Sequence, residues 1–105
     1  MPRIRSISVT CCALALTLAG VSACETAPPV QEMSDARQAI AVARDAGAAD
    51  LAAAELAAAE QYLQRAEQRL EDHAYREARN DALEAKIKAL NALKISESGE
   101  ESGSN

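Results

Sequence analysis

The sequence predicts an all-α protein: an alanine-rich antiparallel helical hairpin with a third, N-terminal helix beside it in a three-helix bundle-like arrangement, behind a cleaved signal peptide. Three observations predict it. Alanine makes up about a quarter of the 105 residues, and with Leu, Glu, Gln, Arg and Lys it gives the composition of helix. Leu56, Leu63 and Leu70 recur every seven residues with Ala52, Ala59 and Ala66 between them, a Leu/Ala heptad seam. Ala78, Ala82, Ala85, Ala89 and Ala92 trace a second small-residue stripe at four-three spacing, and no segment of the mature chain alternates as a strand does.

Residues 1–23 read as an export segment. Arg3 and Arg5 stand without a nearby acid, and Ile7 to Gly20 form an apolar stretch relieved only by Ser8, Thr10 and Thr17. That stretch is shorter than the ~20 residues that span a bilayer, which disfavours a retained transmembrane anchor. Val21-Ser22-Ala23-Cys24 follows and resembles the lipobox of bacterial lipoproteins, an aliphatic and two small residues ahead of a cysteine. The resemblance implies cleavage before Cys24 and a covalent lipid on its thiol, the side chain that most readily becomes a nucleophilic thiolate. An ordinary secretory site is the alternative, because Val21 and Ala23 also satisfy the small-residue rule; it leaves Cys24 a coincidence. Two or three acyl chains meet the need of stable anchoring for more than one. Glu25 stands where an aspartate in enterobacterial lipoproteins signals retention at the inner membrane, so the resemblance leans toward the outer membrane, with the domain facing the periplasm.

Residues 24–32 then form a short spacer containing Pro28-Pro29, which disfavours helix and suits an extended chain close to the membrane. The helical domain is expected over 33–95. Its first helix runs from about 34 to 47, with Ser34 as cap, Met33, Ala36, Ile40 and Ala43 on one face, and Gly47 as a left-handed stop. The second begins at about Asp50 and ends in the polar segment Glu71-Asp72-His73-Ala74-Tyr75. The third spans about 75–95, with Glu77, Asp81 and Glu84 early, Lys86, Lys88 and Lys94 late, and Glu84 and Lys88 at i, i+4. Leu56, Leu63 and Leu70 are expected to pack against Leu83, Ile87 and Leu90 across the hairpin. Residues 96–105, Ser, Glu, Gly and Asn after Ile95, are expected to be a disordered acidic tail.

Composition excludes several functions. From Cys24 on, nine basic residues stand against sixteen acidic ones, a formal charge of −7, which argues against nucleic acid. With no Phe or Trp, Tyr62 and Tyr75 cannot by themselves make a base-stacking platform. Cys11 and Cys12 leave with the signal and Cys24 carries the lipid, so the domain has no disulfide, and His73 as the sole histidine nearly excludes a structural zinc site. His73 beside Asp72 and Glu71 lacks a nucleophilic partner, and reads as a solvated turn histidine rather than a general base. Glu55, Glu60, Glu67, Glu71, Glu77, Asp81 and Glu84 read as the wet face of amphipathic helices rather than as a cation site. No catalytic residue, metal or cofactor is expected beyond the lipid on Cys24.

From Met33 to about Ile95, the alanine runs, the Ala46-Gly47-Ala48 stop, Ala54-Glu55-Leu56 and Tyr75 with Ala78 together resemble a bacterial lipoprotein family catalogued as a domain of unknown function. Its members stand alone after a lipobox or precede an OmpA-like peptidoglycan-binding domain. Two positions depart from the family's pattern: Ala53 replaces a proline often found near the start of the middle helix, and His73-Ala74 replaces a Gly-Asp pair at the turn. The expected function is a non-enzymatic interaction or structural module of the cell envelope, lipid-anchored to a membrane and binding another envelope protein or itself. The alternative is non-covalent peptidoglycan contact; covalent linkage is disfavoured by the ending Gly103-Ser104-Asn105, which lacks a terminal lysine.

Overall fold

The computed structural model describes residues 27–103, and among them four helices and no strand. In chain order they are α1 (Val30–Asp45), α2 (Ala48–Leu51), α3 (Ala53–Glu71) and α4 (Tyr75–Gly103). The fold is the expected all-α bundle. The long α4 packs against both α1 and α3, which touch each other less. Cross-helix ion pairs give the directions: Arg37 meets Glu67 and Arg44 meets Glu60, so α1 and α3 are antiparallel, while Glu32 meets Arg79 and Asp35 meets Lys86, so α1 and α4 run parallel.

The first helix begins four residues earlier than its expected start. Pro29 is its N-cap, Met33 N–H donates to the Pro29 carbonyl at 3.0 Å, and Ser34 is an exposed residue of the second turn with no capping role. A proline just ahead of a helix costs nothing, because the first-turn N–H groups have no intrahelical partner. The expected spacer 24–32 is shortened accordingly, its last three residues already belonging to α1. Met33, Ala36, Ile40 and Ala43 form the buried face as expected, joined by Ala39. Gly47 stops the helix at φ +86°, donating to the Arg44 carbonyl at 2.9 Å.

The second helix is interrupted near its start. After the single turn of α2, Ala52 takes φ −144° and ψ 45°, and α3 begins at Ala53. Ala53 is thus the first residue of a helix, where a proline is best accommodated. The far end of α3 closes with a Schellman motif: Ala74 N–H donates to the Arg69 carbonyl at 2.8 Å and His73 N–H to the Leu70 carbonyl at 3.1 Å. His73 occupies the left-handed position at φ +60°, the conformation that glycine adopts freely and other L-residues adopt at a cost.

The core is built of alanine. Ala59, Ala66, Ala78, Ala82, Ala85, Ala89 and Ala92 have no exposed surface, and small side chains let the helix axes approach closely. Two clusters form. One gathers Ala39, Ile40, Ala43, Ala48, Ala52, Leu56 and Ala59 with Ala89 and Ala92, and Leu63 and Leu93 pack on it. The other joins Met33, Ala66 and Ala82 under Leu70. Leu83, Ile87 and Leu90 are not the partners of the α3 leucines: they lie on the opposite side of α4, exposed by 44, 49 and 46%. One helix cannot turn both stripes inward, and the alanine stripe allows the closer approach.

The tail expected to be disordered from Ser96 is instead the last two turns of α4, described to Gly103. Its sequence continues the alanine stripe with other small residues at the same four-three spacing: Ser96, Gly99 and Gly103. Ser96 is fully buried and its hydroxyl donates to the Ala92 carbonyl at 2.8 Å. Leu51 of α2 lies over Gly99, where a β-carbon would come within 3.4 Å of the leucine side chain.

Candidate functional site

The lipobox residues Val21, Ser22, Ala23 and Cys24 lie outside the described residues. The described chain is fixed to the bundle from its first residue. Arg79 of α4 donates through Nη2 to the Ala27 carbonyl at 3.3 Å and through Nε to Glu32 at 3.1 Å, so one guanidinium holds both the approach to α1 and its first turn. Pro29 is fully buried. Of the expected spacer, residues 27–32 are therefore held against the bundle or lie within α1.

The acidic residues read as a wet face are largely engaged across helix boundaries. Glu60 and Glu67 of α3 pair with Arg44 and Arg37 of α1, the latter at 3.0 Å. These pairs bridge a shallow groove floored by Ile40 and Leu63. Glu55 lies 4.0 Å from Lys88. Asp81 is the one the sequence reading missed: it is 9% exposed, with Arg69 Nε 2.8 Å from one carboxylate oxygen and Arg65 3.8 Å from the other. The Arg69 contact is ionic but poorly aligned, and neither atom completes a hydrogen bond. The signal was present in the sequence, since Arg65 and Arg69 are one turn apart on α3 and an antiparallel hairpin brings them opposite Asp81. The exposed pairs, Arg37 with Glu67 and Arg44 with Glu60, contribute about 0–1 kcal/mol each; their clearer effect is to fix register.

His73 is exposed at the turn, its ring 5.9 Å from that of Tyr75, and Glu71 and Asp72 beside it are exposed as well. Among the described residues no three His, Cys, Asp or Glu side chains are placed to hold a metal ion, and no helix is long and apolar enough to cross a membrane. Tyr62 is half-buried with the Arg65 guanidinium 5.1 Å from its ring centre. The feature that stands apart is the outer face of α4, where Leu83, Ile87 and Leu90 align at four-three spacing with no covering element among the described residues, Leu90 bordering a groove with Ala39 and Val42 of α1.

Fold and surface together define a small all-α bundle, packed through alanine and keyed by ion pairs between helices. The chain belongs to the family described as a domain of unknown function (DUF4398), whose model matches residues 31–101. That span contains all of α3 and nearly all of α1 and α4, including the last turns that composition had assigned to a tail. No curated protein and no solved structure matches the chain.

Proposed function

We propose that this chain is a lipoprotein of the bacterial cell envelope, anchored through Cys24 and acting as a non-enzymatic helical interaction or structural module. One observation carries the reading: a basic and then apolar leader ends in Val21-Ser22-Ala23-Cys24, and the folded unit begins only a few residues further on. Such spacing keeps the domain at the membrane surface, and Glu25 after the cysteine favours the outer membrane, with the bundle on the periplasmic side. Charged side chains that pair with each other, and large apolar ones that face outward, suit contact with another protein better than chemistry on a small substrate.

Metabolic labelling with a fatty acid tests the anchor. The wild type is expected to take up label and Cys24→Ser to take up none; label persisting in Cys24→Ser would overturn the lipobox reading. Crosslinking in cells tests the module, and recovery of the domain with isolated sacculi in place of a protein partner would replace protein contact with wall contact.

A further inference from the structure

The stripe Leu83, Ile87, Leu90 belongs to a longer seam. Continuing its four-three spacing toward the N-terminus of α4 gives Asn80 and Arg76; continuing toward the C-terminus gives Lys94, Glu97 and Glu101. All eight positions are exposed, and they follow the a/d repeat of a coiled coil over about 38 Å of helix at 1.5 Å per residue. Charge is divided along it, with arginine at one end and two glutamates at the other. Arg76, Lys94, Glu97 and Glu101 make no ion pair among the described residues, whereas Arg79, Asp81, Lys86 and Lys88, nearer the buried face, are paired across helices.

We propose that this outer face of α4 docks on the same face of a second copy of the chain, the two helices antiparallel. The reading rests on the interaction-module proposal and names its partner. In an antiparallel pair each a position faces a d position, and one register aligns the whole seam. Ile87 then faces Leu90 of the second copy, and Leu90 faces Ile87, so the apolar residues meet at the dyad. Leu83 faces Lys94, whose methylene stem covers the leucine while its ammonium reaches water. Asn80 faces Glu97, an amide donor opposite a carboxylate, and Arg76 faces Glu101, an ion pair at each end. A parallel pair would instead set Arg76 on Arg76, Lys94 on Lys94 and Glu101 on Glu101. The charge pattern therefore selects the antiparallel self-pairing, which is also isologous and closes at two copies. Because α1 runs parallel to α4, the N-terminal ends of the two α1 helices lie at opposite ends of the dimer.

The test uses the chain as made in cells, with paired cysteines at the ends of the seam. Residues 76 and 101 of one chain are about 38 Å apart and cannot be bridged internally. A short thiol crosslinker is expected to give a covalent dimer from Arg76→Cys/Glu101→Cys, joined between residue 76 of one copy and residue 101 of the other. Arg76→Cys alone is expected to give none, and adding Ile87→Asp to the double variant is expected to remove the dimer band. Self-crosslinking of Arg76→Cys alone, no dimer from the double variant, a dimer that survives Ile87→Asp, or crosslinks only to a different protein would each overturn the proposal. Fatty-acid labelling of the same cells reads the anchor separately. A dimer without label leaves the pairing intact and removes the anchor, and label without a dimer does the reverse.

Discussion

On its inner face α4 carries Ala78, Ala82, Ala85, Ala89, Ala92 and Ser96, none with exposed surface; on its outer face it carries Leu83, Ile87 and Leu90, each nearly half exposed. The larger side chains have more to gain from burial, roughly 1.5–3 kcal/mol each against ~0.8 for a methyl. They are nonetheless outside. Small residues on three facing helices permit an approach that leucine would prevent, so shape rather than hydrophobicity decides which stripe turns inward. Helix propensity and a few large buried residues, Met33, Ile40 and Leu56, then hold the bundle together.

The largest expected effect comes from removing one of those few. Leu56 is 6% exposed within a cluster made mostly of alanine, whose methyls cannot reach into the space its side chain would leave. Leu56→Ala is expected to cost about 2–5 kcal/mol, comparable to the whole stability of a small domain. A denaturant titration followed by circular dichroism measures it; an unchanged midpoint would mean the inner face is not the core.

The next effect runs the comparison in reverse. Ala89→Leu puts on the inner face of α4 the residue type that Leu90, its neighbour in sequence, presents to solvent. Overpacking against Leu56 and Ala59 is expected to cost roughly 1–3 kcal/mol, lowering the melting temperature although the substitution adds apolar area. A raised melting temperature would show that the helices are spaced more widely than an alanine interface requires.

A smaller effect, of opposite sign, is expected at the turn that presents α4 to α3. His73 holds φ +60°, so His73→Gly is expected to stabilise the domain by about 1 kcal/mol or less. Thermal unfolding checks it, and a destabilised variant would mean that the His73 side chain contributes contacts that outweigh its backbone strain.

The parts legible in the sequence are those written in one stretch of chain. The alanine stripe, the buried face of α1 and the Gly47 stop each need only local spacing. Which of two stripes on α4 faces inward is not local, because periodicity gives the angle between them and not the direction of the neighbouring helices. The pairing of Asp81 with Arg65 and Arg69 was within reach, because the hairpin turn sets their register, but it is seen only when two helices are read together. The last turns of α4 were hidden by composition: Ser, Gly and Glu suggest a solvated tail until Ser96, Gly99 and Gly103 are seen to continue the stripe at its own spacing. At Ala52 the helix breaks without glycine, proline or a capping side chain, and no residue there announces it.

The smallest effect on the isolated bundle is expected where the outer face is cut back. Ile87 belongs to neither buried cluster and is about half exposed, and alanine is the better helix former, so Ile87→Ala should change stability by no more than about 0.5 kcal/mol in dilute solution. Concentration then separates surface decoration from interface. If copies pair through this face, folding is linked to association, and the wild-type melting temperature rises with protein concentration. Ile87→Ala removes side-chain atoms from both layers at the dyad, so its melting temperature should stay nearly flat over the same range. Melting the two proteins in parallel across a hundredfold concentration series makes the comparison. Curves that coincide when dilute and diverge when concentrated mark the outer leucines as an interface; curves that coincide throughout leave α4 with an inner face that folds the bundle and an outer face without a second copy to meet.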